Sequence, residues 1–371
     1  MNYKVSEILK SLRPYQPGQS DKDVKEKYNR DFFIKLASNE SPLEPFDSVL
    51  MTLKEKLEDL NLYPDPSARD LIDVASRYYQ VSSDSVLAGN GSNELIDLLI
   101  RLFCEPGESV LTSEGAFIAY KVCTQSNRAK LIEVPLKKDF SLDLPAFDKK
   151  LKELEKIDAL PKLVFIPNPN NPTGSYSNKK DMDYFTSEWG GREDLVVVID
   201  EAYNEFVTAE DFPQGGNYLK YENVVLLKTM SKVFGLAGLR LGFLIGSPNI
   251  IGLLHRIRNP FNVNTLAQAA GAAALSDGVS IQKIKKLIVG GREDLESFFK
   301  ENGVSYVPSQ ANFVFFDTGM DALKAHDFLL KQGLIIRPLI PYGFKTQLRI
   351  TIGDHKQMDF AKKALTSLFN S

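Results

Sequence analysis

Lys232 follows the apolar run Val224-Val-Leu-Leu227 and precedes a glycine-rich stretch that ends in Arg240. Such a run reads as a buried strand, and a lysine near its exit loses hydration. Lost hydration penalises the ammonium form, lowers the pKa and makes the amine a better imine-forming nucleophile. Thr229 and Ser231 stand just before it, with hydroxyls that can donate to a phosphate. Arg240 can grip the same group with two parallel N–H bonds. A lone surface lysine would be solvated and inert, but this one stands among the groups that a phosphate-bearing aldehyde needs. Pyridoxal phosphate has that pair of requirements, an aldehyde that condenses with a lysine and a phosphate that must be anchored.

Three further stretches supply what remains of such a site. Ala88-Gly-Asn-Gly-Ser-Asn-Glu-Leu95 opens a helix directly after a short strand. Its glycines let the backbone approach a phosphate, and the free N–H groups of a helix start point at it, with Ser92 and Asn93 as caps or ligands. Pro167-Asn-Pro-Asn-Asn-Pro-Thr-Gly174 holds Asn171 in a loop stiffened by prolines, where a fixed amide can donate to a ring phenolate. Val196-Val-Val-Ile-Asp200 ends an apolar strand in a carboxylate. A buried carboxylate needs a cationic partner, and a protonated pyridine nitrogen would turn the ring into an electron sink. The plainer alternative for Asp200 is a cap on the turn that follows it. Tyr203 lies three residues on and could reach the ring hydroxyl.

The elements that must position these residues can be read from the pattern. Apolar runs predict strands over 85–88, 109–112, 130–134, 163–166, 196–200, 224–228 and 242–245, with amphipathic helices such as 93–103 and 179–189 between them. Strand–helix alternation predicts an α/β domain with a mostly parallel sheet of seven strands flanked by helices. Ligands of such sheets bind beyond the carboxyl ends of strands, which is where Asn171, Asp200 and Lys232 fall. After residue 260 the pattern changes to long helices over 265–275 and 281–301, strands over 311–316, 335–337 and 348–352, and a last helix over 356–369. The organisation expected is an irregular N-terminal arm over 1–50 that counts with the small domain, a large domain over 51–260 and a smaller α+β domain over 261–371.

The 371 residues carry 45 Lys+Arg against 48 Asp+Glu, a formal charge of −3 that gives no case for nucleic acid or a membrane surface as partner. No run approaches the length of a membrane span. Cys104 and Cys123 are too few for a disulfide framework and fit a reducing cytoplasm. His255, His326 and His355 lack metal-ligand spacing, so no metal is expected.

With these motifs assembled, the chain resembles the fold-type I pyridoxal-phosphate aminotransferases over nearly its whole length, and among them the histidinol-phosphate aminotransferases. The likeness is carried by Leu12-Arg-Pro-Tyr-Gln-Pro-Gly18, Leu36-Ala-Ser-Asn-Glu-Ser-Pro-Leu43, Tyr63-Pro-Asp-Pro66, the Asn171 and Asp200 stretches, the run 231–240, Gly333-Leu-Ile-Ile-Arg-Pro-Leu339 and Leu348-Arg-Ile-Thr-Ile-Gly353. The resemblance implies Lys232 as the Schiff-base lysine and Asp200 as partner of the pyridine nitrogen. It places Asn171 and Tyr203 at the ring hydroxyl and Phe117 on the ring face. Ser92, Asn93, Thr229, Ser231 and Arg240 would hold the phosphate, joined by Tyr63 from a neighbouring subunit, so that a homodimer shares its sites. Tyr15, Asn39, Arg337 and Arg349 would bind the substrate. The implied reaction takes an amine from histidinol phosphate to 2-oxoglutarate. Departures at Gly115-Ala116, Ser41 and Gln357-Met358 touch substrate identity more than cofactor. An aromatic-amino-acid aminotransferase, a threonine-phosphate decarboxylase and a ligand-sensing regulator are the alternatives. Retention of Lys232, Asp200 and Arg240 argues against the regulator.

Overall fold

The computed structural model describes Leu9 and residues 32–370. Tyr15 and the motif over 12–18 lie outside the described residues. The first strand, β1 (Ile34–Lys35), is short and belongs to a two-stranded sheet. The central sheet contains β2 (Val86–Gly89), β3 (Ser109–Ser113), β4 (Lys130–Val134), β5 (Leu163–Pro167), β6 (Val196–Asp200), β7 (Val224–Thr229) and β8 (Gly242–Ile245) in the order β2-β8-β7-β6-β5-β3-β4. It is parallel except at β8, which runs antiparallel to both neighbours.

The apolar runs form strands because both sheet faces are covered, so every position along them must be hydrophobic. Alternate residues divide between two cores. Val196, Val198, Val225 and Leu227 pack with Leu95, Leu99 and Tyr120, from helices Ser92–Phe103 and Ile118–Ser126. Val197, Ile199, Val224 and Leu226 pack on the other face with Phe147, Met182, Phe185 and Trp189, from helices Leu144–Glu155 and Lys179–Trp189. The two-residue period of a strand thus places one set of side chains in each layer.

A four-stranded antiparallel sheet lies C-terminal to this. It contains β9 (Tyr306–Val307), β10 (Phe313–Asp317), and, after β11 (Leu334–Ile335), β12 (Arg337–Pro338) and β13 (Gln347–Thr351), in the order β12-β13-β10-β9. Helices Gly278–Glu301 and His355–Phe369 supply Ile284, Ile288, Leu295, Phe299 and Leu365 to its core. Three sequence-based boundaries need correction. The strand expected over 335–337 is two strands in different sheets, since β11 pairs in parallel with β1 whereas β12 pairs with β13. Pro338 has no N–H to extend a ladder, which keeps β12 short. β10 begins at Phe313, because the backbone before it is held elsewhere: Gln310 N donates to Gly174 O and the Arg292 guanidinium donates to Ala311 O. The long helix begins at Gly278, because the Asp277 side chain accepts from Ser280 N and caps it. The first fifty residues are not wholly irregular either, since helix Asp47–Lys56 starts within them and packs on Thr265–Ser276.

Candidate active site

The carboxyl ends of the parallel strands place the predicted residues side by side. Across the sheet, Pro167 pairs with Asp200 and Asp200 with Leu227. Two residues further along, Thr229 lies opposite Gly242, and Gly242 opposite Gly89. A cavity of about 390 Å³ opens above this edge. Among its lining residues are Ser92, Asn93, Phe117, Asn171, Asp200, Tyr203, Thr229, Ser231, Lys232 and Arg240, with Asn39, Arg337 and Arg349 from the opposite wall.

At one end of the cavity, Gly91 turns the chain with φ 82° into helix Ser92–Phe103. A Cβ built on Gly91 would come within 2.7 Å of Arg240 Nη2, so the glycine makes room for the guanidinium. Arg240 Nη1 donates to Ser231 Oγ at 3.4 Å and to Ala237 O at 3.1 Å. The helix start, two hydroxyls and a guanidinium therefore converge in one recess. This donor set fits a phosphate: N–H groups and hydroxyls with one fixed positive charge, and no carboxylate among them.

Lys232 lies half-buried beside this recess. Burial first, then the nearby Arg349 and Arg240 charges, bring its pKa down to about 7. Its Nζ donates to Asn39 O at 3.1 Å, a carbonyl rather than a carboxylate. The contrast is Lys228, four residues earlier, whose Nζ meets Glu201 Oε2 at 2.5 Å in a buried ion pair on the sheet. Lys232 has no such carboxylate partner in its hydrogen bond to Asn39 O and is prepared to lose its proton near neutral pH.

Asp200 is buried at the floor. Burial raises its pKa, while hydrogen bonds from Tyr120 and Ala202 oppose the rise. Tyr120 OH donates to Oδ2 at 2.6 Å and Ala202 N to Oδ1 at 3.1 Å. Asp200 thus caps its turn and also presents a buried carboxylate at the cavity floor. Tyr120 was not among the residues singled out from sequence. Its spacing from Phe117 was a usable signal, because residues three apart on a helix lie on one face. The Tyr120 ring stacks on Phe165 at 4.6 Å and meets Phe117 edge-on at 5.9 Å, which fixes the phenol.

On the opposite wall, Asn39 is the centre of a network that sequence reasoning did not anticipate. It adopts φ 55°, and its Nδ2 donates to Tyr203 OH at 3.0 Å. Thr351 Oγ1 donates to Asn39 Oδ1 at 3.1 Å and accepts from Asn39 N at 2.9 Å. Arg349 Nη1 donates to Asn171 Oδ1, and Nη2 to Ala37 O at 2.8 Å. With its oxygen turned to Arg349, Asn171 keeps Nδ2 as its donor end. Arg337 lies directly opposite Arg349 in the β12–β13 ladder. Tyr63 does not line the cavity; it is 82% exposed and stacks on Phe261 at 4.7 Å.

The family model for aminotransferase class I and II matches residues 32–365. The chain is similar to the histidinol-phosphate aminotransferase of Bdellovibrio bacteriovorus, 42% identical over 98% of each chain. It is also similar to that of Geobacillus thermodenitrificans, 39% identical over 96% of this chain and 95% of the relative. Among solved structures, the histidinol-phosphate aminotransferase of Sinorhizobium meliloti in complex with pyridoxal-5′-phosphate superposes with a TM-score of 0.87 at 27% identity, over 100% of this chain and 98% of the other. An aspartate aminotransferase from Thermus thermophilus shares the fold at a TM-score of 0.82 and 18% identity, covering 99% and 100%.

Proposed function

The chain belongs to the class I and II aminotransferase family, and from that premise we propose that it moves the amine of L-histidinol phosphate to 2-oxoglutarate, giving imidazole acetol phosphate and L-glutamate. The observation that carries the choice of donor is the cross-strand pair of Arg337 and Arg349 at the cavity wall. Like charges directly opposite one another on a sheet destabilise it. A bound dianion offsets that repulsion, and a phosphate monoester carries about −1.5 to −2 charge, more than one carboxylate. The relatives named above, similar over nearly the full length, support the same donor.

The protein is a pyridoxal-phosphate-dependent transaminase. Bound in the recess, pyridoxal 5′-phosphate supplies an aldehyde that exchanges amines and a ring that withdraws electrons from the substrate's α carbon. In our reading Ser92, Asn93, Thr229, Ser231 and Arg240 grip the phosphate. Phe117 covers one ring face, and Asn171 and Tyr203 donate to the ring oxygen. Asp200 holds negative charge at the floor. Lys232 Nζ is uncharged above about pH 7 and is the group that takes and returns the proton at the substrate's α carbon. We assign cofactor binding to residues 51–260 and the two substrate arginines to 261–371. We place the enzyme in the cytoplasm, in keeping with two unpaired cysteines.

Arg337→Ala should lower kcat/KM for histidinol phosphate by roughly ten- to 150-fold, the loss of about 1.5–3 kcal/mol of charge-assisted hydrogen bonding. Phenylalanine, which has no phosphate, should lose much less. The measurement is conversion of the bound cofactor's absorbance on adding each donor separately. An equal loss on both would make Arg337 structural, and faster conversion by phenylalanine in the unaltered protein would replace histidinol phosphate with an aromatic amino acid.

We also read the enzyme as a homodimer in which Tyr63 reaches the partner's cofactor phosphate. The support is a stretch of chain that exposes Tyr63 together with Met51, Leu57, Leu60 and Leu62, all more than half exposed. Exposed apolar patches mark association surfaces. Heterodimers of Lys232→Ala with Tyr63→Phe should contain one site free of both changes and exceed either homodimer in activity. An active monomer, or verified heterodimers without that gain, would remove Tyr63 from the site.

A further inference from the structure

The cavity carries an uneven set of charges. Lys232, Arg240, Arg337 and Arg349 line it on the positive side, and Asp200 and Glu40 are its lining carboxylates. Asp200 is buried on the floor with both oxygens engaged. Glu40 is different: its side chain is 50% exposed, and it meets Lys35 at 3.3 Å across a pair whose other member is 33% exposed. An ion pair so exposed is weak and easily exchanged for another donor.

The backbone that carries Glu40 is fixed. Leu36 O accepts from Thr351 N at 2.9 Å, and Ala37 O accepts from Arg349 Nη2 at 2.8 Å. Asn39 O, the carbonyl that joins Asn39 to Glu40, accepts from Lys232 Nζ and from Asn312 Nδ2, both at 3.1 Å. Glu40 therefore leaves the chain beside the amine at which a donor's α carbon must arrive, and its charge acts on that amine in the direction opposite to burial.

A donor of the class proposed above has three arms on its α carbon. The amine belongs at Lys232 and the phosphate arm at the arginine pair. The remaining arm is an imidazole, whose N–H needs an acceptor and whose protonated form carries positive charge. We infer that Glu40 is the specificity-determining acceptor for the imidazole N–H of the amino donor. This rests on the reading of the donor given above. A benzene ring offers no such N–H, so the carboxylate discriminates between rings of similar size, whereas the arginine pair discriminates by charge at the other end.

The test separates the ring from the reaction. Two amine-free ligands, 3-(imidazol-4-yl)propyl phosphate and 3-phenylpropyl phosphate, share the phosphate arm and differ in the ring N–H. Calorimetry on the holoenzyme gives a Kd for each. Glu40→Leu should weaken the imidazole ligand about ten- to a hundredfold, the loss of a hydrogen bond to a charged group, and leave the phenyl ligand within about threefold. Glu40→Gln keeps an oxygen acceptor and should recover most of the affinity at high pH, with less gain on acidification through the imidazole pKa. Lys35→Gln frees Glu40 from its surface pair and should preserve or strengthen the preference. Equal weakening of both ligands by Glu40→Leu, or no change in either, overturns the inference. If the unaltered enzyme does not turn over histidinol phosphate, the donor reading fails, yet the ratio of the two affinities still decides the role of Glu40.

Discussion

Lys232→Ala should eliminate amine exchange, lowering turnover by on the order of ten-thousandfold or more, and should abolish borohydride fixation of the cofactor. Two losses combine. The alanine cannot form the covalent link to the aldehyde, and it cannot carry the α-carbon proton, a role that alone contributes roughly 10²–10⁴ in rate. In the unaltered protein, borohydride reduction should leave the cofactor's mass on the peptide that contains Lys232. An adduct on Lys228 or on a surface lysine would refute the assignment. The environment of the amine supplies a second readout. Its pKa is brought down to about 7, chiefly by burial, so the neutral, reactive form should appear as pH rises through about 7. Exposed lysines become neutral near 10.4. With cofactor removed, acylation of Lys232 should therefore have its midpoint about three pH units below that of the surface lysines. Acylation of Lys232 only at the pH of those lysines would mean that burial does not prepare the amine.

Much of this arrangement was legible in the sequence because parallel strands buried on both faces leave a simple mark. The runs 196–199 and 224–227 are apolar throughout, and the polar residues that follow them stand toward the carboxyl edge, where ligands bind. The turn at Gly91 that opens helix Ser92–Phe103 was legible for a related reason, since a glycine turn opening a helix is a local event. What escaped depends on register and on contacts distant in sequence. That Arg337 faces Arg349 follows from the β12–β13 ladder, and no local pattern near either residue announces it. The division of 334–338 between two sheets depends on β1, some 300 residues away in the chain. Asn39 was named as a substrate ligand, yet its bonds to Tyr203, Thr351, Asn312 and Lys232 tie the N-terminal segment to the cavity. Its left-handed φ is open to asparagine more than to most residues, but the sequence does not say where such a residue will be needed.

Asp200→Asn should bind cofactor and lose about a thousandfold in turnover. An amide of the same shape keeps the acceptor for Ala202 N, so the turn should survive. What is lost is the negative charge at the floor. With the cofactor bound, a carboxylate there would keep its ring nitrogen protonated, which would strengthen the ring's pull on electrons from the α carbon. Removing one preorganised electrostatic contact to a transition state typically costs a factor of 10²–10³, and here a whole charge is removed. Tyr120→Phe is the informative comparison. It deletes the 2.6 Å hydrogen bond to Asp200 Oδ2 and leaves the carboxylate in place. The phenol is one of the groups that hold the Asp200 pKa down against burial. Without it that pKa should rise further, so the charged form should be lost at a higher pH. The acid limb of the activity profile should then move upward in Tyr120→Phe, with most of the rate retained at high pH. In Asp200→Asn no pH should restore the rate, because no charge remains to be recovered. The pH dependence of kcat for the three proteins checks both expectations. Near-normal turnover in Asp200→Asn would reduce Asp200 to a cap on its turn.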